Sequence, residues 1–305
     1  MVTNSSETRM RIGVIVQQAE GALDDRTPTF VDIKELTLTA EAVGFDSFWL
    51  PDHLIYRPHE PEETGVWEVF TFLSALASVT STITLGTLVA SSLFRSPAIL
   101  AKMADSLDHI SDGRFILGLG AGNWEAEHRM FGLPFDHRVA RFEEALQIIA
   151  PLLREGRVDF HGRYYEAADC VLRPRGPSPS GPPIWVGTRG ERMLRIAARH
   201  ADAYNAIWPI TIEQICQQKA RLVAACADVG RDPATFALTA GTFVRLPQDD
   251  VPARDDRAIS GTYAEIAAQL RAIEAEGVQH LCITFRPGPN RRTFEQFANV
   301  LALLR

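Results

Sequence analysis

The feature of this sequence that most constrains its fold is a regular alternation of short strand-like runs and longer helical patterns. Most of the strand-like runs are apolar on both faces, which is typical of buried strands in a parallel sheet. Eight such runs occur. They are Arg11–Gln17, Ser47–Leu50, Ile83–Ala90, Arg114–Leu119, Ile184–Gly187, Ala203–Ile207, Phe236–Leu246 and Leu281–Phe285.

Helical patterns fill the intervals, and several of them carry signals for helix ends. The first apolar stripe stops at Gly44, a favourable residue just past a helix end. Ser96 and Pro97 predict the N-cap and the first residue of the third helix. The apolar face predicted for that helix consists of Ile99, Leu100, Met103, Leu107 and Ile110. Capping boxes predict three later helix starts, at Thr211, Thr262 and Thr293.

Eight strand–helix repeats in 305 residues predict an α/β fold of the (β/α)8 TIM-barrel type, as one domain over residues 1–305. A doubly wound open sheet rarely needs eight repeats. The alternation breaks once, at about residues 156–183, where VDFHGRYYEA predicts a hairpin and RPRGPSPSGPP predicts a loop. We interpret this segment as an insertion after the fourth helix, which either covers the active site or is a purely structural flap.

Composition excludes several classes of protein. Apolar residues make up 46% and charged residues 23%, as in a packed globular protein rather than a disordered chain or a coiled-coil rod. The net charge of −7 argues against a nucleic-acid partner, which requires a basic surface. The polar N-terminus and the lack of a long apolar stretch predict a soluble, cytoplasmic protein without a membrane partner. The cysteines and histidines have no metal-ligand spacing, so we expect no metal site.

Candidate site residues follow from the rule that barrel active sites lie at the carboxyl ends of the strands. Asp52 and His53 directly follow the second strand, and histidine is well suited to proton transfer near neutral pH. A simple turn would also explain a Pro-Asp sequence. The third strand ends in small polar residues that include Ser91, which would let a planar ring lie against the barrel, although ordinary passage into a loop explains them equally.

Two glycine-rich segments follow the fourth and fifth strands. The sequence GLGAGN, ending with Ala121, Gly122 and Asn123, predicts either close approach to a flat or phosphorylated ligand or tight packing at the barrel mouth. Gly187, Thr188, Arg189 and Gly190 precede a helix and combine backbone N–H groups, a hydroxyl and a guanidinium. That combination favours an anion site, although an ordinary loop has the same composition.

Several long segments together resemble the bacterial luciferase-like superfamily of (β/α)8 barrels, and within it the oxidoreductases that use the deazaflavin coenzyme F420. The similarity runs from Arg11 to Arg305. The segments that carry it are FWLPDHL, SALASVTSTITLGTLV, FRSPAILAKMADSLDHISDGRFILGLGAGNWEAEHRMFG, RFEEAL, VDFHGRYY, PPIWVGTRGERMLRIAARHADAYN and GTYAEIAAQLRAIEAEGVQHLCI. They are specific for the superfamily and less specific for the cofactor.

The resemblance implies a role for each candidate residue. It implies that Asp52 contacts the cofactor, that His53 is the acid/base, and that a non-proline cis peptide joins Leu88 and Val89 behind the deazaflavin ring. It implies cofactor contacts for Ser91, for Ala121, Gly122 and Asn123, and a phosphate-holding loop at Gly187, Thr188, Arg189 and Gly190. A homodimer is also implied, because family members are often dimers.

The chain departs from the family at two places. Some sugar-phosphate dehydrogenases of the family have a glutamate where this chain has Asn123, so neither their proton relay nor a sugar-phosphate substrate carries over. Thr188–Arg189 replaces a commoner glycine-rich pair.

Three functions remain open from the sequence. The first is an F420-dependent oxidoreductase that acts on a small organic molecule. The second is a monooxygenase that uses reduced FMN and oxygen, and the third is a non-catalytic cofactor-binding barrel.

Overall fold

The computed structural model describes residues 9–56, 63–206, 211–247 and 258–305, and a closed barrel of eight parallel strands forms its centre. The barrel strands are β1 Arg11–Ile15, β2 Ser47–Leu50, β3 Thr84–Thr87, β4 Phe115–Gly120, β5 Ile184–Thr188, β6 Ala203–Ala206, β7 Ala237–Val244 and β8 His280–Phe285. Each strand pairs with the next in chain order, and β8 pairs with β1, which closes the barrel. The predicted TIM-barrel fold is confirmed.

One principal helix follows each barrel strand and covers its outer face. These helices are α1 Phe30–Val43, α2 Val69–Ala77, α3 Pro97–Ile110, α4 Arg138–Glu155, α5 Glu191–His200, α6 Ile212–Val229, α7 Tyr263–Ala275 and α8 Arg291–Leu304. Gly44 ends α1 with a φ of 95°, a left-handed conformation that glycine adopts without steric cost. Thr211 and Thr262 form the predicted capping boxes of α6 and α7.

Two predictions about the helices were wrong. Ile99 and Ile110 of α3 are 57% and 46% exposed, because α3 buries Ala101 and Ala104 instead and its inner face is rotated from the predicted one. Helix α8 begins earlier than predicted, because Asn290 is its N-cap and Thr293 is the third residue of that capping box.

The third strand was predicted to run without interruption to Ala90. It stops instead at Thr87 and resumes as the short strand Ala90–Ser91. Ile207, predicted as the last residue of the sixth strand, lies outside the described residues.

The lower interior of the barrel, toward the amino ends of the strands, is filled by aromatic rings. Trp49 and Trp185 pack with their ring centroids 4.7 Å apart. A Cβ on Gly86 would lie 2.2 Å from the Trp49 ring, and a Cβ on Gly13 would lie 2.5 Å from its Nε1. The two glycines therefore provide the space that a tryptophan needs inside an eight-stranded barrel. His280 completes this layer at 5.0 Å from the Trp185 ring.

The insertion after α4 consists of two parts with different positions. Strands Arg157–His161 and Glu166–Val171 form the predicted hairpin, and Glu144 of α4 accepts hydrogen bonds from the backbone at its tip. The proline-rich part is held by α3, since Asp105 accepts a hydrogen bond from Gly176 N. Because α3 and α4 end at the amino side of the barrel, this part cannot cover the carboxyl ends of the strands, and of the two predicted roles only the structural one fits it.

No helix in the described ranges is both long and apolar enough to span a bilayer. The assignment of residues 1–305 to one domain stays a prediction.

Candidate functional site

Three segments meet at the carboxyl end of the barrel around Val89. A cis peptide bond joins Leu88 to Val89, as the family resemblance implies, and the chain then pairs with the end of β4. A Cβ on Gly120 would lie 2.7 Å from a methyl group of Val89, and one on Gly187 would lie 3.1 Å from another. Both glycines are therefore explained by tight packing at the barrel mouth, which for Gly120 is one of the two explanations that the sequence left open.

Asp52 lies at the end of β2 and is bound on both sides. Its carboxylate accepts hydrogen bonds from Arg95 at 2.6 and 3.1 Å and from the backbone N–H of Ser91 at 3.0 Å. Arg95 also donates to Glu68 at 2.5 Å. Burial raises the pKa of the Asp52 carboxyl, and the guanidinium of Arg95 opposes that shift.

The Asp52 side chain is fully buried. The contacts that the structure shows for it hold Arg95 and the Ser91 backbone in place. Direct contact between Asp52 and a cofactor stays a prediction. The sequence did not indicate Arg95 as a site residue, because nothing in it distinguishes this arginine from others near a helix start.

The His53 side chain is 15% exposed, and its ring is bound to a buried carboxylate. Its Nδ1 lies 3.1 Å from Oε2 of Glu127, and its ring packs on Tyr56 with centroids 4.1 Å apart. The other oxygen of Glu127 accepts hydrogen bonds from the backbone N–H groups of Leu54 at 2.5 Å and Ile55 at 3.1 Å. Burial favours the protonated form of Glu127, but the hydrogen bonds from His53 and these two N–H groups outweigh it and lower its pKa.

Glu127 belongs to the short helix Glu125–Met130, which follows β4. Sequence reasoning missed both Glu127 and Tyr56. The histidine and the glutamate are 74 residues apart in the chain, and only closure of the barrel brings them together.

The loop after β4 lies beside Ser91. Gly122 has a φ of 72°, and a Cβ there would lie 2.7 Å from Nε2 of His128 and 3.1 Å from Oγ of Ser91. The Gly122 carbonyl accepts a hydrogen bond from Arg138 of α4 at 3.1 Å. Ala121 is half-buried and Asn123 is exposed at the rim. The structure thus places Gly122 next to Ser91, and the cofactor contacts that the resemblance implies for Ala121, Gly122 and Asn123 stay a prediction.

The loop after β5 leads into the amino terminus of α5. The hydroxyl of Thr188 accepts a hydrogen bond from the backbone N–H of Gly190 at 3.2 Å, and Gly190 is the N-cap. Arg189 is exposed, and its carbonyl accepts a hydrogen bond from Arg221. Arg189 directly precedes the N-cap of α5, and the helix dipole favours an anion at that end of the helix.

Buried polar atoms without a hydrogen-bond partner concentrate at this end of the barrel. Nine such side-chain atoms occur in the described ranges, and six belong to residues at or just after the carboxyl ends of strands. The six residues are Gln17, Gln18, Ser91, Ser92, His128 and Thr284. Because most buried polar groups in proteins are hydrogen-bonded, this concentration marks a surface that is suited to a polar ligand.

The described residues contain no cluster of three or more histidines, cysteines or carboxylates that could hold a metal ion. The candidate site consists of the His53–Glu127 pair, the Asp52–Arg95 pair and the three loops around Val89.

Comparisons with known proteins agree with this architecture. The chain is 32% identical over 225 residues to a phthiodiolone/phenolphthiodiolone dimycocerosates ketoreductase of Mycobacterium sp. (strain JLS), covering 68% of this chain and 59% of the relative. It is 32% identical over 177 residues to an F420-dependent glucose-6-phosphate dehydrogenase of Amycolatopsis mediterranei (strain U-32), covering 57% of this chain and 52% of the relative. The chain thus spans between half and six-tenths of the length of these two relatives.

A solved structure has the same fold. An F420-dependent secondary alcohol dehydrogenase in complex with an F420-acetone adduct superimposes with a TM-score of 0.81 at 18% identity, over 97% of this chain and 99% of that one. The family model described as luciferase-like monooxygenase matches residues 10–280. This match covers most of the chain, and the protein therefore belongs to the luciferase-like monooxygenase family.

Proposed function

We propose that this protein is an oxidoreductase that uses coenzyme F420 to move a hydride to or from a small organic molecule, with His53 as the acid/base. The observation that carries the proposal is the His53–Glu127 pair, which lies at the same end of the barrel as the glycine-rich loops. The names of two similar proteins support the cofactor, since both are called F420-dependent.

The residues at the mouth fit a flat, polar ring system with a phosphate tail. The unpartnered hydroxyls and amide oxygens of Ser91, Gln17 and Gln18 could bond the N–H and C=O groups of such a ring. Gly122 leaves open the space that a side chain would fill between Ser91 and His128. In this proposal Ala121, Gly122 and Asn123 contact the ring, and Gly187, Thr188, Arg189 and Gly190 hold the phosphate.

When bound, F420 supplies a carbon centre that gives or accepts a hydride. The chain itself supplies orientation and a proton site. In the oxidation of an alcohol, His53 Nε2 takes the hydroxyl proton as the neighbouring C–H bond gives up its hydride, and a carbonyl forms. In the reverse reaction His53 returns that proton to the carbonyl oxygen.

We propose an alcohol–carbonyl pair as the substrate class. The names of the mycobacterial ketoreductase and of the secondary alcohol dehydrogenase support this choice. Asn123 takes the place of a family glutamate, which argues against a sugar phosphate. The proposal also includes a cytoplasmic location and a single domain over residues 1–305, as the sequence predicts, and a homodimer, as the resemblance implies.

Titration of the purified protein with oxidised F420 and, separately, with FMN tests the cofactor. We expect micromolar binding of F420 and much weaker binding of FMN. The family description as monooxygenases favours reduced FMN as the second candidate. Tight binding of FMN without binding of F420 would overturn the proposal in favour of that alternative.

A further inference from the structure

We propose that Glu127 is a positioning residue that holds His53 in one tautomer, with the proton on Nδ1 and the lone pair of Nε2 directed to the substrate. This inference rests on the proposed function for its catalytic consequence, but the tautomer itself is a property of the protein alone. It concerns a residue that neither the sequence motifs nor the family resemblance indicated.

The two carboxylate oxygens of Glu127 bind different groups. Oε1 accepts the backbone N–H groups of Leu54 and Ile55, and Oε2 faces Nδ1 of His53 at 3.1 Å. An ionised carboxylate only accepts hydrogen bonds, so Nδ1 must be the donor in this pair. In the neutral imidazole Nε2 is then the acceptor, which is the form that can take a proton from a hydroxyl group.

The carboxylate is also held rigidly. The Glu127 side chain is 2% exposed, and the two backbone donors that fix it belong to the residues directly after His53. Glu127 therefore binds the histidine and the chain segment that carries it at the same time. Tyr56, whose ring packs on His53, is the other titratable group in the described ranges that contacts the imidazole.

Replacement of Glu127 by glutamine should reverse the tautomer. A carboxamide has one oxygen and one NH2 group. The oxygen is expected to stay with the N–H groups of Leu54 and Ile55, because an NH2 group there would leave both donors unpaired. The NH2 group then faces Nδ1 of His53, which must become the acceptor, and the proton moves to Nε2.

The first experiment is ¹⁵N NMR of histidine-labelled protein without cofactor or substrate, with His53 assigned from the spectrum of His53→Gln. We expect the Nδ1–H tautomer in the natural protein and the Nε2–H tautomer in Glu127→Gln. Glu125→Gln is the matched control, because Glu125 is an exposed glutamate on the same short helix. An Nε2–H signal in the natural protein would overturn the inference, even if Glu127→Gln failed to fold.

The second experiment measures turnover with F420 and a secondary alcohol over a range of pH. Glu127→Gln should lower kcat about 100-fold with little change in KM or in F420 affinity, as expected when a general base is held in the wrong tautomer.

Equal kcat values for Glu127→Gln and Glu125→Gln would contradict the positioning role. The two proposals can fail separately. An Nδ1–H tautomer in a protein that neither binds F420 nor turns over an alcohol would leave the role of Glu127 in place and refute the proposed function.

Discussion

Two histidines lie inside the same barrel, one at each end, and their surroundings differ in one decisive respect. His280 at the amino end is fully buried, and its Nε2 lies 2.7 Å from the hydroxyl of Ser47, which also accepts the indole N–H of Trp49 at 2.6 Å. His53 at the carboxyl end is 15% exposed and is bound to a carboxylate through Nδ1. Both histidines pack against aromatic rings, so ring contacts do not distinguish them.

This difference distinguishes a histidine with a structural role, His280, from one that can react, His53. The hydroxyl of Ser47 bonds both His280 and Trp49, and burial holds the pKa of His280 well below the usual range, so the ring is neutral. At the mouth, by contrast, Ser91 and His128 keep buried polar atoms without partners. Buried groups that are hydrogen-bonded to each other stabilise the barrel, whereas unpartnered groups near the partly exposed His53 are available to a ligand.

The largest expected effect comes from the histidine at the mouth. His53→Ala should reduce turnover with F420 by about 10²- to 10⁴-fold, since it removes the proposed proton acceptor. The free energy of unfolding should fall by about 1–3 kcal/mol, because the ring is only 15% exposed and its loss leaves Oε2 of the buried Glu127 without the imidazole. Steady-state kinetics and calorimetry check both statements, and an equally active His53→Ala protein would favour the non-catalytic barrel.

The histidine at the other end should show the opposite pattern. His280→Ala should lower the free energy of unfolding by about 2–5 kcal/mol, because it opens a cavity and removes a partner of Ser47. Turnover per folded molecule should stay close to that of the natural protein. Urea unfolding monitored by tryptophan fluorescence measures the loss, and a stability within experimental error of the natural protein would show that the network contributes little.

A smaller effect is expected at the loop after β5. Arg189→Ala should weaken F420 binding by about 10-fold, the size expected for one charge-assisted contact to a phosphate. Arg192→Ala is the matched control, because Arg192 lies one turn away in α5 and is paired with Glu143 at 2.7 Å. Equal affinities of the two variants in a fluorescence titration would remove Arg189 from the phosphate site.

The smallest effect concerns pH. His280 has a lower pKa in the folded protein than in the unfolded chain, so below about pH 6.5 the unfolded chain binds a proton that the folded protein does not. Stability should therefore fall as the pH drops below that value, by at most about 1.4 kcal/mol per pH unit from this group. His280→Asn should remove this part of the slope in chemical unfolding at pH 5–7, and parallel profiles for the two proteins would contradict the assignment.

The fold was predictable because its signals are local. Most of the barrel strands are largely apolar on both faces, and the helix ends at Gly44, Thr211 and Thr262 are set by residues within one turn. The errors arose where neighbouring elements decide the outcome. Ile99 looked like a core residue by its type, yet α3 presents alanines to its neighbours, which allow closer packing than isoleucine does.

The site was predictable only in part, for a related reason. Asp52 and His53 could be found because they directly follow a strand, and the glycine-rich loops because glycine itself is the signal. Glu127 could not be found, because Glu125 and Glu127 are equivalent in sequence and differ only in which one faces His53. Arg95 likewise becomes meaningful only through its contacts with Asp52 and Glu68.

The position of Val89 has a consequence for ligand binding at the carboxyl end of the barrel. Its side chain stands on Gly120 and Gly187, one layer above the ring of Trp185. A ligand that binds at this end of the barrel would meet the methyl groups of Val89 above the aromatic layer. Val89 therefore forms part of the floor under such a ligand, and we expect alanine there to lower that part of the floor and isoleucine to raise it.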